Sequence, residues 1–326
     1  MNRLKILVAV TKNEKRRGKL RNTIEEVAYK NNKEINILFC KQQDIKDFIF
    51  DCDVALCFVF EKESLERANK LKWIHFASVG IDHTLYPELL HSDIILTTSR
   101  GINNHNVAEH SFAFMLYFAR CIDKAIEFKV KRKWEKWNFS VQTSTLRGKI
   151  LGILGLGAIG TEIAKLGKAF GMKIYGMDRD TGKKTFVDVF FKKEELKNII
   201  KIMDYIVLSL PLTEETFHIL GKEELDLLKP DSVLINIARG KLIDEEYLIK
   251  VLKEGKIKGF GTDVYYNEPL PEDSELFDLP NVVMTPHIGG NFEGYIDEVG
   301  KSFSENLQLF FTGKPLKNVV DRELGF

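Results

Sequence analysis

Short apolar runs alternate with segments of helical periodicity along most of the chain. Residues 5–10 (KILVAV), 35–39 (INILF), 54–59 (VALCFV), 73–78 (WIHFAS) and 94–97 (IILT) read as buried strands. Runs apolar on both faces, separated by helix-like stretches, are the pattern of a mostly parallel sheet covered by helices. The apolar periodicity from Asn106 to Phe128 predicts one long helix, long enough to bridge two units. The less regular stretch Lys129 to Arg147, with Trp134 and Trp137, suits either an arm that meets a second subunit or a packed surface loop. A second alternating series starts at Lys149. Strands are predicted at 149–154, 173–177, 205–208, 233–237, 259–263 and 282–285, with helices at about 158–170, 192–200, 222–228 and 244–254. That is a complete doubly wound set. Residues 293–311 return to a helix and 316–320 are extended. The fold class is therefore α/β with doubly wound parallel sheets.

The 326 residues exceed one ordinary domain and are comfortable for two. With 48 Lys+Arg against 47 Asp+Glu, the charge balance calls for neither nucleic acid nor a membrane as partner. The basic stretch Lys12 to Arg21 reads as a solvated loop and first helical turn. No run approaches the ~18 apolar residues of a spanning helix. Met1 to Val10 reads as a first strand instead of an export signal, so a cytoplasmic location is expected. Cys40, Cys52, Cys57 and Cys121 form no CxxC and no zinc-like spacing, so buried free thiols and no metal are expected.

The strongest motif is Gly155-Leu156-Gly157-Ala158-Ile159-Gly160, between the apolar run Ile150–Leu154 and the helical stretch from Ala158 to Phe170. Gly155 permits a tight turn, Gly157 lets backbone approach a pyrophosphate, and Gly160 lets the helix pack on the strand. Free amides and the dipole at the helix start favour phosphate. Asp178 ends the next strand, where a carboxylate accepts from ribose hydroxyls and repels a 2′-phosphate. NAD is favoured over NADP, although Arg179 follows at once and a guanidinium can pair with that phosphate.

Three further loops at strand ends carry chemistry. Arg239, in NIARG, offers a planar fork that matches a carboxylate. On position alone a surface arginine is the commoner reading. His287, in TPHIGG, can shuttle a proton near neutral pH, and Glu268, in NEPL, can fix its tautomer and raise its pKa. Asp263 could accept from a nicotinamide carboxamide, or simply cap a turn. Ser78-Val79-Gly80 can form a carboxylate-binding nest of amides, or a plain tight turn. Reduction of a 2-oxo acid needs such parts: a cation for the carboxylate, an acid for the developing alkoxide, and a held nicotinamide.

These blocks resemble the D-isomer-specific 2-hydroxyacid dehydrogenase family over nearly the whole chain. The resemblance runs from SVGIDH (78–83) through GINNHNVAEH (101–110), GILGLGAIG (152–160), LPLTEET (210–216), NIARGKLIDEE (236–246) and TDVYYNEPLP (262–271) to NVVMTPHIGG (281–290). It implies two Rossmann-like domains around a cleft: a discontinuous substrate domain, 1–101 plus 292–326, and a cofactor domain, 102–291. It implies that Arg239 binds substrate and that His287 is the acid/base with Glu268 as partner. Gly155, Gly157, Ala158, Ile159, Gly160, Asp178, Pro211, Ile237, Asp263, Gly289 and Gly290 would line NAD, with Val79 from the first domain. It further implies hydride transfer between NAD(H) and a small D-2-hydroxy or 2-oxo acid, and a homodimer joined through the cofactor domain. Asn291 departs from many relatives. The region before Trp73, which shapes the substrate pocket, matches only by pattern, so the substrate's side chain stays open. The alternative functions are a NAD-sensing, corepressor-like interaction protein on the same fold and a dehydrogenase for formate or phosphite.

Overall fold

A computed structural model describes residues 3–134, 136, 142–180, 182, 185–323 and 325. The chain divides into two units, one of Met1–Asn103 with Phe292–Phe326 and one of Asn104–Asn291.

In the first unit, β1 (Leu4–Val8), β2 (Ile35–Phe39), β3 (Val54–Cys57), β4 (Trp73–Phe76) and β5 (Ile95–Thr98) form a parallel sheet ordered β2-β1-β3-β4-β5. Both faces are covered, which is why these strands read as continuous apolar runs. On one face, Leu20 and Ile24 of the helix Glu14–Lys30 pack with Val299, Phe303 and Leu307 of the helix Tyr295–Phe311 over Ile6, Val8 and Trp73. The two helices approach closely at Gly300, where a Cβ would lie 2.6 Å from Leu20. Trp73 stacks on Phe303 with ring centroids 4.9 Å apart. The opposite face holds Leu7, Ile74, Phe76 and the buried thiols Cys40, Cys52 and Cys57. Burial pushes Cys40 and Cys52 up to about 11, so they are inert as nucleophiles. In the expected extended tail, Val319 bridges Thr97 of β5.

In the second unit, β6 (Ile150–Leu154), β7 (Lys173–Met177), β8 (Val189–Phe191), β9 (Tyr205–Leu208), β10 (Val233–Asn236), β11 (Gly259–Thr262) and β12 (Val282–Met284) form a parallel sheet ordered β12-β11-β10-β9-β6-β7-β8. The chain order reverses beside β6, which makes the carboxyl end of β6 the topological switch point. The edge strand β8 is an addition to the predicted set; three residues are too few to show a period.

The predicted single helix over Asn106–Phe128 is corrected to two. Asn104–Ala119 ends, Cys121 adopts a left-handed backbone with φ 52°, and Ile122–Lys131 starts anew. Left-handed backbone breaks the i to i−4 ladder, and no Gly or Pro announced it. Both helices lie in the second unit. Phe114 and Phe118 of the first of them fill the space left by Gly261 and Gly259 in β11. Trp134 is exposed, and Trp137 lies outside the described residues.

Both sheets use one device at strand starts. Asp53, directly before β3, accepts the Lys5 amide of β1 at 3.0 Å. Asp204, directly before β9, accepts the Ile150 amide of β6 at 2.7 Å, and Asp188, directly before β8, accepts the Ile174 amide of β7 at 2.7 Å. Lysines hold all three: Lys72, Lys229 and Lys168. Among the described residues no helix is long and apolar enough to cross a membrane.

Candidate active site

The glycine turn joins β6 to the helix Ala158–Ala169. Gly155 has φ +102°, and a Cβ there would sit 2.7 Å from the Ser209 carbonyl. At Gly160 a Cβ would lie 1.9 Å from the Gly155 carbonyl, so only glycine lets the helix seat on the turn. Gly157 is different. A Cβ there would meet no heavy atom within 4 Å, and it caps the helix without any side-chain hydrogen bond. The helix start is thus open, with amides and dipole available to an anion.

Asp178 follows β7 and lies against this turn. One carboxylate oxygen accepts the Leu156 amide at 2.9 Å, and the other accepts the Asp180 amide at 3.1 Å. Its position beside an open glycine turn at the switch point suits a dinucleotide whose pyrophosphate sits at the helix and whose ribose meets the acid. Ala158 is exposed and Ile159 half-buried at the helix start, whereas Ile237 is mostly buried. Pro211 is half-buried, and its carbonyl accepts the Thr216 hydroxyl.

Arg239, Glu268 and His287 converge in this unit. Gly240 allows it: a Cβ there would lie 1.9 Å from the Tyr265 backbone, so the loop after β10 presses onto the loop after β11. Glu268 accepts the Tyr265 amide at 3.0 Å through one oxygen and meets His287 Nδ1 at 2.6 Å through the other. The Glu268 hydrogen bond raises the His287 pKa above 6.5; burial and the nearby Arg239 charge oppose it. For Glu268, burial works against ionisation, but the bonds from His287 and Tyr265 and the Arg239 charge hold its pKa below the usual 4.5. The carboxylate fixes the proton on Nδ1, leaving Nε2 as the working nitrogen of a half-exposed side chain. Arg239 donates to the Ala238 carbonyl at 2.6 Å, and its own carbonyl accepts from Asn236.

Sequence reasoning missed what holds the His287 loop. His287 itself has φ 53°, unfavourable for a residue with a Cβ. Asp263 accepts the amides of Ile288 at 2.8 Å and Gly289 at 2.7 Å, just after it. The Thr285 hydroxyl donates to Asp263 at 2.5 Å and lies 2.8 Å from His110 Nε2, while Tyr265 donates to the Thr285 carbonyl. Asp263 thus anchors the loop, and Gly289 spends its amide there; Gly290 follows, half-buried. His110 stood in the GINNHNVAEH block with no role assigned, and its distance from Asp263 in the chain hid the link. In the first unit, Ser78, Val79 and Gly80 follow β4. The Ser78 carbonyl accepts the Ser99 amide at 3.1 Å, and its hydroxyl is buried without a hydrogen-bond partner among the described residues. No cluster of three or more metal-ligating side chains occurs among the described residues.

One unit thus carries an open glycine turn with an acid against it and, on later loops, a carboxylate-held imidazole in the field of an arginine, which is the equipment of a nicotinamide-dependent oxidoreductase working on small acids. Comparison with known proteins is specific about which. The family model for the D-isomer specific 2-hydroxyacid dehydrogenase NAD-binding domain matches residues 112–289. A glyoxylate reductase from Thermococcus litoralis is 37% identical over 269 residues, 81% of each chain. A D-3-phosphoglycerate dehydrogenase from Methanocaldococcus jannaschii is 34% identical over 287 residues, 86% of this chain and 54% of that one. Among solved structures, a D-isomer specific 2-hydroxyacid dehydrogenase family protein from Aeromonas salmonicida superposes with a TM-score of 0.86. It has 30% identity and covers 98% of this chain and 100% of that one. The chain belongs to the D-isomer specific 2-hydroxyacid dehydrogenase family. It is an NAD-dependent oxidoreductase of 2-hydroxy and 2-oxo acids.

Proposed function

We propose that this chain reduces a small, glyoxylate-like 2-oxo acid with NADH, in preference to NADPH. The observation that carries the reading is the 2.6 Å His287–Glu268 pair within the field of Arg239. Arg239 receives the substrate carboxylate in its planar fork and polarises the adjacent carbonyl. A bound nicotinamide supplies the hydride. His287, kept cationic by Glu268, gives its Nε2 proton to the carbonyl oxygen as negative charge develops there, and the reverse reaction returns that proton. Ala158, Ile159, Asp178, Pro211, Ile237, Asp263, Gly289 and Gly290 line the cofactor in this reading, with the glycine turn under the pyrophosphate. The Ser78-Val79-Gly80 turn is the candidate substrate-binding segment of the first unit, where residues 1–101 and 292–326 act as the substrate domain.

The 37% identical glyoxylate reductase makes glyoxylate the first substrate to try. A homodimer through the cofactor domain, acting in the cytoplasm, completes the proposal. Its support is the helix Ile122–Lys131, which exposes Ile122, Ile126 and Val130 along one stripe, with Trp134 exposed just beyond. Glyoxylate, hydroxypyruvate, phosphohydroxypyruvate and pyruvate, each with NADH and NADPH, form the test. NADH oxidation with at least one of these acids is expected, glyoxylate foremost. No turnover across the set would end the substrate assignment.

A further inference from the structure

Arg179 directly follows Asp178, where a guanidinium is well suited to grip a 2′-phosphate. Its side chain is instead engaged. One terminal nitrogen lies 2.6 Å from a carboxylate oxygen of Glu215, 36 residues on, in the segment after β9. Lys193, just after β8, also turns to this residue and donates to the Glu215 carbonyl. Asp178 is meanwhile held by the Leu156 and Asp180 amides. The ribose end of the site therefore carries a fixed acid, and beside it a cation occupied by a second acid.

We infer that Glu215 sets cofactor specificity by occupying Arg179, withholding from NADP a guanidinium that would otherwise bind its 2′-phosphate. This rests on the reading that Asp178 marks the ribose site of NAD. A 2′-phosphate arriving there meets Asp178 and must also displace Glu215 before it can use Arg179. The ribose hydroxyls of NAD need neither change. Both side chains of the pair are more than half exposed, so separating them costs the fold little and shows itself in ligand choice.

The test is calorimetric binding of NAD⁺ and NADP⁺ to the full chain, read as the ratio of the two Kd values. The variants are Glu215→Gln, Arg179→Gln and the double replacement. Glu215→Gln should shift the ratio towards NADP⁺ by about fivefold, the upper scale of one exposed charge pair. The shift should vanish when Arg179 is also replaced. An unchanged ratio in Glu215→Gln, with wild type preferring NAD⁺, overturns the inference and leaves the NAD assignment standing. An equal shift in the double variant also overturns it, because Glu215 would then act by repulsion without Arg179. A wild type that already prefers NADP⁺, or an Asp178→Ala variant with an unaltered ratio, refutes the underlying NAD reading as well.

Discussion

In each unit the first strand is followed directly by a long helix, and the two strand-to-helix turns differ in one decisive way. After β1, the turn closes on itself. The Asn13 side chain accepts the Arg16 amide at 3.1 Å, Thr11 accepts the Asn13 amide, and Arg17 reaches back to the Thr11 carbonyl. The helix Glu14–Lys30 thus begins with its own cap. After β6, the turn is Gly155-Leu156-Gly157, and Gly157 offers neither a cap nor bulk. The same parallel wrapping and the same strand-start aspartates surround both turns. A doubly wound sheet is consequently no predictor of dinucleotide binding; what matters is whether the first helix satisfies its own amides or leaves them to a phosphate.

The largest effect should come from closing the open turn. Gly157 has φ −64° and free space about it, so Gly157→Asp should fold with its melting temperature nearly unchanged. Its carboxylate would take the anion position, and NAD⁺ affinity should fall about 100-fold or more through like-charge repulsion. Calorimetric titration reads this directly, and undiminished NAD⁺ affinity would mean that the phosphate does not lie at this helix. The smaller effect comes from opening the closed turn. Asn13→Ala should destabilise the chain by about 1 kcal/mol in urea unfolding, the usual worth of such a cap, with NAD⁺ affinity intact. Unchanged stability would remove Asn13 from its capping role.

The sequence was informative where chemistry and local geometry coincide. Eleven of the strands announced themselves as short apolar runs, most plainly where every position is buried, as in Val54–Cys57 and Val233–Asn236. The glycine turn, Asp178, Arg239, Glu268 and His287 stood out because each follows a strand. Features made by tertiary contact were not legible. Cys121 turns left-handed in an otherwise helical pattern, and nothing in its residue type requires it. The His110–Thr285–Asp263 network joins positions up to 175 residues apart. The Arg179–Glu215 ion pair joins positions 36 residues apart, and nothing in the Asp178-Arg179 dipeptide announces it. Asp263 suggested a cofactor contact, and its loop-anchoring bonds to two amides required the folded chain.

In the proposed mechanism Glu268 keeps His287 protonated for donation to the substrate. The pH dependence of kcat/KM for 2-oxo acid reduction, in wild type and Glu268→Gln, addresses it most directly. Because the His287 pKa is raised above 6.5 chiefly by Glu268, wild-type kcat/KM should hold at low pH and fall only as pH rises through that raised value. Removing the carboxylate charge should move the falling limb to lower pH. A limb at the same pH in both proteins would contradict the account.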